Sequence, residues 1–143
     1  MDYHFGKGSL KQLSTCHKDL QILAAEALKL SVIDFKIVEG HRSLERQSQL
    51  FKEGKTKING IDKKGKHNHL PSLAFDIAAV LPQGLSWERN NLCFIAGVIL
   101  STGTRLLMEG KISHKIRWGG NWDSDGEIIT DQRFIDLPHF EII

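Results

Sequence analysis

Two histidines and an aspartate fall within the ten-residue stretch HNHLPSLAFD, positions 67–76. Imidazole and carboxylate are the groups that ligate zinc in hydrolases, where three protein ligands leave a fourth position for water. His69 and Asp76 are seven residues apart. On one continuous strand an odd offset points two side chains to opposite faces. A turn at Leu70, Pro71 and Ser72 before the strand lets both converge on one ion. The third ligand has to come from a distant element, and His139 in the segment DLPH offers it. Asp136, three residues earlier, is suited to take a proton from an activated water and pass it to a leaving amine. Arg42 is suited to clamp a substrate carboxylate or a developing oxyanion, because its guanidinium stays charged and binds in two-pronged fashion. Taken singly, each residue has an ordinary reading. A lone histidine is usually a surface or core residue, Asp136 can cap a turn before Pro138, and Arg42 can close a salt bridge at a helix entry. Asp76 is harder to dismiss, since a carboxylate inside an apolar stretch is costly to bury without a cation or several donors.

The elements that must position these groups follow from periodicity. Residues 15–30 place Leu20, Leu23, Ala24, Ala27 and Leu28 near helical spacing, with Thr15 or Ser14 as N-cap. Residues 34–39 alternate like a strand and run into Gly40, and residues 43–52 then form a helix closed by Gly54. Residues 52–68 are polar, glycine-rich and lysine-rich, a loop. Residues 74–80 read as a buried strand, and residues 86–101 as an apolar helix ended by Gly103. Short strands at 115–118 and 139–143 complete an α+β fold, helices packed on a small antiparallel sheet.

Composition sets the outer bounds. With 143 residues, 41% of them hydrophobic, the chain suits one domain, residues 1–143, with no separate wall-binding unit. Such a domain folds without a disulfide or a metal, so any metal is there for chemistry. A net charge of +2 is far below what a DNA-binding domain carries. Cys16 and Cys93 are too few for a disulfide framework and read as reduced core thiols. The opening MDYHFGKGSLKQL has no apolar signal-peptide core, and the run from Leu92 to Leu100 is about half a membrane span. The expectation is cytoplasmic synthesis, no stable membrane insertion and a monomer.

The pattern H-x-x-S-x-A-x-D at 69–76, followed by D-x-x-H at 136–139, resembles the zinc peptidases of the D-Ala-D-Ala carboxypeptidase and L-alanyl-D-glutamate peptidase group. These share a fold with the hedgehog signalling domain. G-H-R-S at 40–43 is similar to the family's arginine motif, and R-W-G-G-N-W at 117–122 to its W-G-G-D-W. The opening F-G-K-G-S-x-K-Q-L and the short chain most resemble phage endolysins of the L-alanyl-D-glutamate type. The resemblance implies a zinc ion in the sheet cleft on His69, Asp76 and His139, with Asp136 as catalytic base. It places Arg42, Trp118 and His67 against a peptidoglycan stem peptide, cut between L-Ala and D-Glu, with a holin needed for release. Ser72 stands where the family has glycine. His67 stands at a serine position, where it either touches substrate or competes as a ligand.

Asn121, Asp123, Asp125 and Glu127 match positions 1, 3, 5 and 7 of a calcium loop, with Gly126 at position 6. Position 12 is Gln132, and Asp131 falls one residue short, so the match is partial. Some similar endolysins are calcium-regulated through a loop in this region; the alternative is a solvated acidic turn. Three rival functions bear on the same residues. The H-N-H tripeptide is a weak nuclease signal, because that motif is spread over a longer unit, and no nucleic-acid partner is expected. A zinc-retaining but non-catalytic wall-binding module would not need Asp136. A D,D-carboxypeptidase shares every ligand and differs only in pocket shape.

Overall fold

Alternation along the strands builds a sheet with one oily face and one polar face. The computed structural model describes residues 2–61 and 63–143. Helices α1 (Lys7–Leu13) and α2 (Lys18–Leu30) precede strand β1 (Asp34–Glu39) and helix α3 (Leu44–Lys52). A single 3₁₀ turn (Lys66–Asn68) leads to β2 (Ala74–Leu81), β3 (Gly84–Ser86), helix α4 (Arg89–Met108), β4 (Ile116–Gly119) and β5 (Asp136–Ile142). The sheet runs β1-β2-β5-β4, with β3 folded back on β2. Every pairing between these strands is antiparallel. The α+β expectation is met.

Phe35 and Ile37, Phe75 and Ile77, Phe140 and Ile142, and Trp118 form the oily face. They share one core with Leu20, Leu23 and Ala27 of α2 and Leu92, Ile95 and Ile99 of α4. Each fully buried aliphatic or aromatic side chain contributes about 1.5–3 kcal/mol, so this layer makes the sheet rigid enough to hold a site. Period-2 alternation sends Asp76, Arg117, His139 and Glu141 to the opposite face, and a bulge after Ile37 turns Glu39 to the same side.

Three sequence expectations differ from the structure. Residues 7–13 form a helix of their own, and the N-cap of α2 is His17, whose Nδ1 accepts from the Asp19 amide; neither Ser14 nor Thr15 takes that role. Gly103 does not end α4, which runs on to Met108. Instead the missing side chain makes room for β4: a Cβ there would lie 2.6 Å from Ile116 Cγ1. Cys93 is only partly buried, whereas Cys16 is in the core; both are free thiols. Burial pushes the Cys16 thiol up to about 11.

Candidate metal centre

Asp76 and His139 are direct cross-strand partners on β2 and β5. Opposed residues of an antiparallel pair have Cβ atoms about 4.5–5.5 Å apart, so the ladder alone brings this carboxylate and imidazole together. His67 supplies the third group from the 3₁₀ turn. His67 Nε2 lies 3.1 Å from Asp76 Oδ1 and 3.2 Å from His139 Nδ1, and His139 Nδ1 lies 3.2 Å from Asp76 Oδ1. His67 and His139 are buried.

The other ring nitrogens decide what this triangle wants. His67 Nδ1 lies 2.7 Å from the Gly40 carbonyl, which can only accept, so Nδ1 carries the proton. His139 Nε2 lies 2.8 Å from Glu141 Oε1, again an acceptor, so Nε2 carries the proton. In neutral rings, His67 Nε2 and His139 Nδ1 are then bare lone pairs aimed at each other and at a carboxylate oxygen. Three acceptors at this spacing repel unless a cation sits among them. Tetrahedral zinc with bonds of about 2.0–2.1 Å separates its ligand atoms by about 3.3 Å, so the residues fit a metal ion. Without one, a proton does the work. Burial disfavours charge on His139, but its bonds to Asp76 and Glu141 raise its pKa to about 10. Burial would raise the Asp76 carboxyl, yet the neighbouring His67 and His139 hold it well below the usual range.

The backbone explains why His67 turns inward. Its carbonyl accepts from the Arg42 amide, and the Asn68 side chain accepts from the Gly65 amide, which pins the turn. Gly40 approaches so closely that a Cβ would meet Gln12 O at 2.5 Å and Thr15 Oγ1 at 2.6 Å. His69, the ligand expected from spacing, is exposed on the rim of the cleft and takes no part in the triangle. Residues 69–73 do not continue the strand, so the distance of seven residues to Asp76 sets no common direction.

A bulge in β1 between Ile37 and Glu39 sets Glu39 opposite Asp76. Glu39 in turn holds Arg42 through two bonds, Nε at 2.9 Å and Nη2 at 2.7 Å, while Nη1 donates to Gln47 Oε1 at 3.0 Å. Arg42 Nη2 also reaches Asp76 Oδ2 at 3.5 Å. Arg42 therefore borders the cleft as expected, but most of its donors are already engaged, and its nearest task is to steady Asp76. Burial would lower its pKa, and the Glu39 and Asp76 charges outweigh that and raise it.

Asp136, at the start of β5, lines the same cleft of about 600 Å³ as the triangle. Burial, reinforced by the Asp76 charge, raises its pKa, with His139, His67 and Arg42 opposing. A carboxyl shifted this way is suited to hold and release a proton. Trp118 does not reach the cleft. It is 3% exposed, on the oily face, with its indole N–H donating to the Leu137 carbonyl. The aromatic wall belongs instead to Trp122 and Phe134, stacked at 6.2 Å. Sequence reasoning also missed Glu141, though stepping two residues along the strand from His139 reaches it.

Two other groups bring potential ligand atoms together among the described residues. His17, Asp19 and His114 do so, but Asp19 Oδ2 is already committed to the Ser113 amide at 2.9 Å and to His114 Nδ1 at 2.7 Å. That closer spacing is a hydrogen-bonded staple between α2 and the loop before β4. Of the residues predicted for calcium, Asp123, Asp125 and Asp131 converge at the surface. Asn121 and Glu127 turn to Asp125 and Thr130 within the loop.

Residues 1–143 match the family described as phage L-alanyl-D-glutamate peptidase. The L-alanyl-D-glutamate peptidase of Escherichia phage T5 is 30% identical over 127 residues, spanning 89% of this chain and 87% of that protein. The peptidoglycan L-alanyl-D-glutamate endopeptidase CwlK of Bacillus subtilis is 30% identical over 127 residues, spanning 83% and 69%. The crystal structure of the Serratia marcescens L-Ala D-Glu endopeptidase ChiX superposes with a TM-score of 0.73 at 25% identity, covering 98% of this chain and 90% of that one. With the family match running from the first residue to the last, this chain belongs to the phage L-alanyl-D-glutamate peptidases.

Proposed function

We propose that the protein is a zinc peptidase that hydrolyses the L-Ala–D-Glu bond of peptidoglycan stem peptides, with His67, Asp76 and His139 as the metal ligands. The observation that carries the metal is the meeting of three acceptor atoms whose partner nitrogens are already committed to Gly40 and Glu141. The family and its named relatives carry the choice of bond. Zinc, when bound, supplies Lewis acidity to a water and to the scissile carbonyl.

The chain's own groups do the rest. Asp136 takes the proton from the attacking water on its carboxylate and delivers it to the departing D-Glu amine. Arg42 fixes Asp76 and adds positive charge at the edge of the cleft, where the oxyanion develops. Trp122 and Phe134 give the peptide an apolar wall. Lys57, Lys63 and Lys64 on the facing loop attract an anionic polymer.

Release to the wall across the cytoplasmic membrane is assigned to a holin. Calcium at Asp123, Asp125 and Asp131 belongs to the same proposal, and wall lysis unchanged by EGTA would remove it. Digestion of purified peptidoglycan followed by mass spectrometry tests the activity. New L-Ala carboxyl and D-Glu amino termini support it, released D-Ala points to a D,D-carboxypeptidase, and intact wall with retained zinc points to a binding module.

A further inference from the structure

Glu141 is a carboxylate for which hydrolysis has no use, yet it is 4% exposed on the floor of the cleft. Taking such a charge out of water is costly unless it is well paired, and a glutamine or an aliphatic residue would fill the space more cheaply. Its two oxygens have separate partners. Oε1 accepts from His139 Nε2 at 2.8 Å. Oε2 accepts from Arg117 Nη2 at 2.7 Å and Nε at 3.1 Å. Arg117 and Glu141 are direct cross-strand partners on β4 and β5. The Arg117 guanidinium carbon stands 5.8 Å from the centre of the Trp122 ring, and Trp122 lies 5.5 Å from the His139 ring. His139 is thus enclosed by a loop of three side chains, each held by the next.

We infer that Glu141, clamped by Arg117, is a positioning residue that fixes the ring orientation and proton placement of His139 so that Nδ1 presents its lone pair to the metal. This rests on the reading of His139 as a ligand. A carboxylate can only accept, so it demands a proton on Nε2 and leaves Nδ1 free. The fork of Arg117 matters for the same reason. It supplies two donors to one oxygen and leaves the other for the imidazole. A glutamine at 141 reverses the logic. Arg117 takes the amide oxygen, the amide NH₂ turns toward His139 Nε2, and the proton on the ring is driven to Nδ1, where the metal should be.

The test is zinc affinity, measured by competition with a chromogenic chelator, beside the thermal midpoint of the metal-free protein and the visible spectrum of the Co²⁺-loaded protein. Glu141→Gln should weaken zinc binding about 10–100-fold and shift the Co²⁺ bands, while the loss of charge beside His139 and Arg117 also lowers the metal-free midpoint. Arg117→Met should weaken binding less, because Glu141 still accepts from His139. Zinc affinity within twofold of parental in Glu141→Gln, with an unchanged Co²⁺ spectrum, overturns the inference while leaving the metal centre standing. Zinc affinity unchanged in His139→Ala overturns both.

Discussion

Replacing His67 and His69 in turn separates the geometry from the motif. Spacing along the sequence favours His69 as a ligand, whereas the folded chain brings His67 to Asp76 and His139. Structural zinc sites with four protein ligands bind with about 10–16 kcal/mol, or about 3 kcal/mol for each ligand. At about 1.4 kcal/mol per decade, His67→Ala should weaken zinc binding by about 10²-fold. It also leaves the Gly40 carbonyl without its donor, at a cost of about 1–3 kcal/mol in folding. At about 4 °C per kcal/mol for a chain of this size, the metal-free midpoint should fall by about 4–12 °C. His69→Ala removes an exposed side chain and should leave both quantities near parental. Metal content after dialysis against a weak chelator, with calorimetry of the stripped proteins, reads the two effects apart. If His69→Ala loses zinc and His67→Ala keeps it, the triangle of acceptors is not the metal centre, and the reasoning from committed ring nitrogens is refuted.

Asp136→Ala should retain zinc and the fold while wall hydrolysis falls by about 10²–10⁴-fold; parental turbidity clearance by this variant would remove Asp136 from the reaction. Gly103→Val forces a side chain against Ile116 and should destabilise by about 1–3 kcal/mol, visible as a lower urea midpoint. Burial alone would raise the Asp19 carboxyl, but His114 and the Ser113 amide outweigh it and hold its pKa below the ordinary value. Its bonds therefore stabilise the fold above the unfolded-state pKa of about 3.9, and that contribution is lost as pH drops through the lower folded value. Asp19→Asn should flatten this part of the acid-unfolding curve, and an unchanged curve would show that the staple carries no such linkage.

Much of the site was legible because strands announce themselves by alternation. Residues 34–39 and 74–80 read as strands from pattern alone, and Asp76 stands out as a charge in an apolar run. His139 is legible at the start of the terminal strand, whereas Asp136 is legible only from its place three residues before it, and the structure extends the strand back to include it. What the pattern hid was direction within short irregular segments. His67 and His69 differ by two residues, and only the 3₁₀ turn decides which imidazole faces inward. Trp118 reads as a substrate contact but lies in the core, because a strand of four residues is too short to reveal its phase. Gly103 read as a stop because its packing partner, Ile116, arrives from outside the helix. Helix α1 has few apolar positions, and it is held by tertiary contact, such as Ser9 Oγ accepting from the Ile37 amide.

The facing of Asp76 and His139 across β2 and β5 has a consequence for how the chain tolerates change in length. Insertions at the exposed residues 123–127 of the loop between β4 and β5 leave the rungs fixed by backbone pairing untouched. One extra residue inside β5 ahead of His139 would instead rotate that strand by half a turn relative to its neighbours. The imidazole would then enter the hydrocarbon layer beside Phe75, and the phenyl ring of Phe140 would land in the cleft where Glu141 stands. The last few residues, which look expendable on paper, are where this enzyme can least afford a shift.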